Sequence, residues 1–194
     1  NSRLGPRRLQ TMTAMVFLMY GKLTKMANPC NWSKTDMLVL KLFLSIAFAA
    51  VVYEDLKSRQ VHWFWFPIIG SCAGALLYQM LPLALFLESV FTNFVFVMLL
   101  LGSIYLYTHF KLKKKITESF GMGDALLFIA LIFSFSWVCF YILFVFGLLF
   151  SLLMHLLLKK TTTETVPLAG YMSLFFGLIY LAYWCGILTT IYTL

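Results

Sequence analysis

Long apolar stretches alternate with short polar ones along this 194-residue chain, and the polar stretches are few enough to fix a layout. Apolar runs extend from Met37 to Tyr53, from Val61 to Leu81, from about Phe86 to Tyr107, from Ala125 to Leu158 and from about Val166 to Tyr192. A helix needs roughly 17–25 such residues to cross a bilayer. The first three runs and the last one therefore each predict one crossing, with Lys41 near enough to an end of the first to snorkel. The run Ala125–Leu158 has 34 residues without a formal charge. As one helix it would be about 51 Å long, against a hydrocarbon core of roughly 30 Å.

Composition supports this layout. Hydrophobic residues make up 62% of the chain and charged residues 11%, with a mean hydropathy of +0.90. Soluble domains carry roughly 25% charged residues, so the chain reads as an integral membrane protein. Its net charge of +8 does not point to nucleic acid, because a basic binding face needs a soluble scaffold to display it. Cys30, Cys72, Cys139 and Cys185 lie far apart with no CxxC pair. Neither a zinc site nor a disulfide framework is indicated.

Charge also divides the long run. Basic residues cluster at Lys57 with Arg59, at Lys111 to Lys115, and at Lys159 with Lys160, whereas the stretches near Leu81–Leu87 and Trp137–Phe140 have none. Basic loops stay on the cytoplasmic side, so an even number of crossings must separate Lys115 from Lys159. Two short helices joined by a tight turn satisfy this, and an all-α protein with six transmembrane helices follows, both ends outside. Trp63 to Phe66, Tyr105 and Tyr107 then fall at the inner interface, where aromatic belts form. Residues 1–35 break the pattern with Arg3, Arg7, Arg8, Lys22, Lys25 and Lys34, and Met12–Tyr20 is too short to span. They are read as an interfacial or non-native tail, with residues 36–194 as the membrane domain.

Within this topology two aspartates reach the same depth. Asp55 follows the first span and Asp124 opens the fourth in Gly121-Met122-Gly123-Asp124. Taken alone, Asp124 also fits a helix-initiating acid and Asp55 a solvated interfacial charge. Together they form the pair that hydrolysis needs, one carboxylate activating water and the other protonating the leaving group. The local helix ends favour an ionised Asp124 at an N-terminus and a protonated Asp55 at a C-terminus, which makes Asp124 the base and Asp55 the acid. Gly121 and Gly123 would let a peptide approach closely. Asp36 reads as an ordinary N-cap, Glu88 and Asn93 as packing or interfacial residues, and His109, His155 and His62 as loop, interior and interfacial residues.

These residues resemble the type IV prepilin and preflagellin peptidases, a branch of the Gly-x-Gly-Asp intramembrane aspartyl proteases. The resemblance covers about residues 36–192. It rests on Tyr53-Glu54-Asp55-Leu56-Lys57-Ser58-Arg59, on Gly121-Met122-Gly123-Asp124 and on the proline-containing segment Val166-Pro167-Leu168-Ala169-Gly170. It implies an aspartic endopeptidase of the inner cell membrane with Asp55 and Asp124 as its catalytic pair. Gly121, Gly123 and Pro167 would support them, and neither cofactor nor metal would be required. The implied partner, besides the lipid bilayer, is a pilin-like precursor with a short basic leader, cleaved at the cytoplasmic face. Glu54 and Glu118 could attract such a leader. The chain departs from the family after the first Asp, where Val61-His62-Trp63 replaces a usual Pro-Asn pair. It departs again after the second, where Ala125-Leu126-Leu127 lacks the common lysine. The CxxC-bearing domain tied to methylation is missing as well, so methyltransferase activity is not implied. Two other classes remain open, a small proton- or cation-coupled transporter subunit and a non-catalytic membrane scaffold.

Overall fold

A computed structural model describes residues 33–58, 60–112, 121–157 and 168–188. All regular structure among them is helical: α1 (Lys34–Ser58), α2 (Trp65–Met80), α3 (Leu83–Tyr107) with a π-helical turn Thr108–Leu112 behind it, α4 (Met122–Leu131), α5 (Trp137–Leu157) and α6 (Leu168–Trp184). The tail expected for residues 1–35 lies almost wholly outside the described residues. So do Cys30, Arg59, Glu118, Lys113 to Lys115, Lys159, Lys160 and Pro167.

Local chemistry sets several helix ends. Ser33 precedes α1 and shares a reciprocal pair of hydrogen bonds with Asp36: Ser33 N–H donates to Asp36 Oδ2 at 3.0 Å, and Asp36 N–H donates to Ser33 Oγ at 3.2 Å. Ser33 is thus the cap, and Asp36, expected to be the cap itself, closes the box from the first turn. Pro82, extended at ψ 149°, separates α2 from α3, because a proline cannot supply the N–H that would continue the helix.

The helices are apolar on nearly every side, and packing rather than amphipathicity decides which face is buried. On α1 the buried residues are Leu44, Ala47, Phe48, Val51 and Asp55, one helical stripe, while Leu42, Phe43 and Ile46 are exposed. Such an outer surface suits hydrocarbon rather than water. α1 packs against α2 and α6, α5 against α6 and α3, and short α4 sits between α2, α3 and α6. Phe48, Ile69, Leu77, Leu127, Phe128, Phe144 and Phe176 form the shared core. α1 and α6 run antiparallel in a register visible at three levels. Lys41 lies over the Trp184 ring at 5.7 Å, Phe48 faces Gly177, and Asp55 meets Gly170.

α1, α3 and α5 are long and apolar enough to cross a membrane. α2 and α6 have 16 and 17 residues. The 34-residue uncharged run is divided into two helices as its length required, but the division falls at residues 132–136, ahead of the expected Trp137–Phe140. The first piece, α4, has only 10 residues, about 15 Å and half a hydrocarbon core. The break is buried: Ile132, Ser134, Phe135 and Ser136 are each no more than 5% exposed. Its carbonyls find partners elsewhere in the bundle. Asn93 Nδ2 of α3 donates to Ile132 O and to Phe135 O, both at 3.0 Å, and Tyr180 OH of α6 donates to Ser134 O at 3.1 Å. Non-helical backbone at such depth is stable only when protein groups satisfy it.

Candidate active site

α1 continues past the apolar run to Ser58, so Asp55 stands on the helix and not in a loop. It is one turn beyond Val51 on the buried stripe and is 7% exposed. A carboxylate so placed needs donors. One comes from the first turn of α6, where Gly170 N–H donates to Asp55 Oδ2 at 2.5 Å. The first N–H groups of a helix have no intrahelical acceptor and carry the positive end of its dipole.

Asp124 arrives from another direction. It lies in the first turn of α4, half-buried, behind an exposed Gly121 and Met122. It accepts hydrogen bonds from the backbone N–H groups of Ala169 and Gly121, and it lies close enough to Asp55 for the two negative charges to act on each other. Consecutive amides at the start of α6, Ala169 and Gly170, therefore each hold one of the two aspartates. Two like charges at one place favour a state in which they share a proton.

This changes the electrostatic contrast expected between them. Asp55 is at the C-terminal end of its own helix, but it also faces the N-terminus of α6, as Asp124 does. The helix-end argument no longer separates an acid from a base.

The surrounding residues divide by what they touch. A Cβ added at Gly121 would lie 2.9 Å from Asp124 Oδ2, and one at Gly170 would lie 2.9 Å from Asp55 Oδ2. Gly123 is different, since a Cβ there would meet only Phe66 Cζ at an ordinary 3.8 Å. Glu54, next to Asp55 in sequence, turns to the α1–α2 connection instead. Its Oε2 accepts from His62 N–H at 2.9 Å and pairs with His62 Nδ1 at 3.0 Å, and its Oε1 accepts from Trp65 Nε1–H at 3.1 Å. His62 is thereby tied to Glu54. His109 stacks on Tyr105 with ring centroids 5.9 Å apart, and Cys72, Cys139 and Cys185 are free thiols. Among the described residues no three His, Cys, Asp or Glu side chains gather in a metal-binding arrangement.

Ala169 and Gly170 are the residues of the site that sequence reasoning did not single out. Their part is played by backbone N–H groups, which any residue but proline carries. The available signal was the small pair just behind Pro167 at the start of a helix, where a carboxylate can come close to the main chain. No family model, no curated protein and no solved structure matches the chain.

Proposed function

We propose that this chain is a membrane-embedded aspartic endopeptidase with Asp55 and Asp124 as its catalytic pair. The observation that supports this best is the seating of both aspartates on adjacent amides of one helix N-terminus, with Asp124 half-open at the end of the bundle. One carboxylate, ionised, takes a proton from water as the water oxygen adds to the scissile carbonyl carbon. The other gives its proton to the leaving amine as the C–N bond breaks, and the pair again holds a single proton. The α6 amides hold the carboxylates in place without themselves taking up or losing protons.

In this reading the basic clusters lie in the cytoplasm and the aspartates near the cytoplasmic membrane face. α1, α2, α3 and α6 cross, and α4 with α5 forms a hairpin that starts and ends at the cytoplasmic face and whose turn reaches the outer half. By the resemblance described above, the substrate is a pilin-like precursor with a short basic leader and an apolar helix. The test is cleavage of such a precursor by the chain reconstituted in liposomes. Loss of cleavage in both Asp55→Asn and Asp124→Asn, with unfolding temperatures near wild type, supports the peptidase. Proton flux without cleavage would assign the pair to a transporter, and neither activity would leave a scaffold.

A further inference from the structure

Four helices enclose the aspartate pair, with α1 and α4 each packed on both α2 and α6. A peptide held at the pair must continue into the membrane through one of the four seams between them, and three are closed. Beside α1 and α2 stands the clasp of Glu54 on His62 and Trp65. Between α1 and α6, Asp55 lies so close to Gly170 that a Cβ there would be 2.9 Å from its Oδ2. Between α4 and α6, the N–H of Ala169 holds Asp124, and α5 backs the seam with the Phe144 ring 4.9 Å from that of Phe128.

The fourth seam, α2–α4, differs. Gly70 and Gly74 of α2 face Ala130 and Phe133 of α4, which lets the two helices approach closely. A groove of about 380 Å³ runs along the outer side of this contact. One end is at Phe66, which is also the neighbour of Gly123, the residue before Asp124. The other end is at Phe133, whose Cβ lies 3.3 Å from where a Cβ of Gly74 would stand. The walls, Pro67–Gly74 and Leu126–Phe133, are each about two helical turns, roughly 10 Å long. Pro67, Ser71 and Ile129 are exposed along its open flank. At the head of α4, exposed Gly121 adjoins Asp124 Oδ2. A chain can therefore pass from the carboxylate over the helix end, where no side chain stands at Gly121, and down into the groove.

We infer that the α2–α4 groove seats the first two turns of the apolar helix that follows the scissile bond in the precursor. The inference rests on the peptidase reading above. The groove starts at the depth of the carboxylates and runs away from the cytoplasm, the direction in which the precursor helix must leave. Its walls are largely hydrocarbon, as that helix requires, and small Ser71 allows a helix backbone to come close. The residues at the scissile bond, extended, cross Gly121, and the helix resumes beyond them. The groove between α1 and α6 suits the precursor less well. The Asp55–Gly170 contact separates it from the pair, and Lys57 among its lining residues would meet a basic leader with like charge.

The test is photo-cross-linking in liposomes. The full chain carrying Asp124→Asn, which leaves the precursor uncut, is irradiated with a precursor bearing photo-leucine in the first two turns after the scissile bond. Mass spectrometry should map the cross-links to Pro67–Gly74 and Leu126–Phe133. Ser71→Phe, which fills the groove from an exposed position, should lower their yield. With both aspartates intact, the same change should raise KM roughly tenfold and leave kcat near wild type, as overfilling a packed contact does. Ala49→Phe, exposed in the α1–α6 groove, should alter neither. Cross-links concentrated on α1 and α6, or an equal yield with and without Ser71→Phe, would overturn the docking site and leave cleavage, and with it the peptidase reading, untouched. Cross-links in the α2–α4 groove of a chain that never cleaves would do the reverse, keeping the docking site and removing the peptidase.

Discussion

Gly170 and Asp55 are 115 positions apart in sequence, yet the backbone N–H of one donates to the carboxylate of the other at 2.5 Å. A Cβ at Gly170 would lie 2.9 Å from Asp55 Oδ2 and 3.1 Å from its Cβ. If the pair cleaves peptides as proposed, Gly170→Ala should displace Asp55 and lower cleavage at least tenfold, the scale expected when a catalytic group is moved by about an ångström. Gly121→Ala should act in the same way through Asp124. Gly123→Ala, with only Phe66 at 3.8 Å, should stay within a few-fold of wild type. Initial rates on a leader-bearing precursor would rank the three. An order with Gly123→Ala lowest would contradict the site as described.

The paired charges of Asp55 and Asp124 give a pH dependence whose sign follows from counting protons. At low pH both carboxyls are protonated and no base remains; at high pH both are ionised and no acid remains. Cleavage should peak where the pair holds one proton and fall on either side. Rates measured across pH in reconstituted vesicles would show it, and a rate that only rises with pH would exclude a shared proton.

The turn between α4 and α5 depends on Asn93, whose amide serves two buried carbonyls at once. Asn93→Ala should lower stability by about 1–3 kcal/mol, since it leaves both without their donor. Tyr180→Phe removes one bond, to Ser134 O, and should cost less. Thermal unfolding in detergent would measure both, and the larger loss must come from Asn93.

Glu54 gathers three donors from the α1–α2 connection. Glu54→Ala should free Trp65 and shift its fluorescence to the red, with a loss of about 1 kcal/mol, because the His62 half of the clasp is exposed and solvent-screened. Glu54→Gln keeps an acceptor for Trp65 and should retain most of the emission. If Glu54 served chiefly to attract a basic leader, both variants would raise KM and leave the fluorescence alone.

The readable parts of this chain were those written in side-chain charge. Asp55, Asp124 and the loop lysines stand out against hydrocarbon, and the length of Ala125–Leu158 forced a break somewhere within it. The position of the break was not legible, because Ile132-Phe133-Ser134-Phe135-Ser136 contains no glycine, proline or charge to mark a turn. Its carbonyls are satisfied from Asn93 and Tyr180, some 40 residues away in either direction. Glu54 reads from sequence as an attractor for a basic leader because its partners, His62 and Trp65, lie across a helix connection. Ala169 and Gly170 lie in the Val166–Gly170 segment that carries the resemblance, but their role is not legible there, because an amide donor leaves no trace in residue type.

The dependence of both aspartates on α6 has a consequence in time. Chains are synthesised from the N-terminus, and α6 is the last helix described here to leave the ribosome. Until it docks, Asp55 lacks the N–H of Gly170, Asp124 lacks that of Ala169, and Ser134 O lacks the hydroxyl of Tyr180. The nascent protein thus holds both carboxylates well before it can position them, and the pair is seated only once α6 has docked.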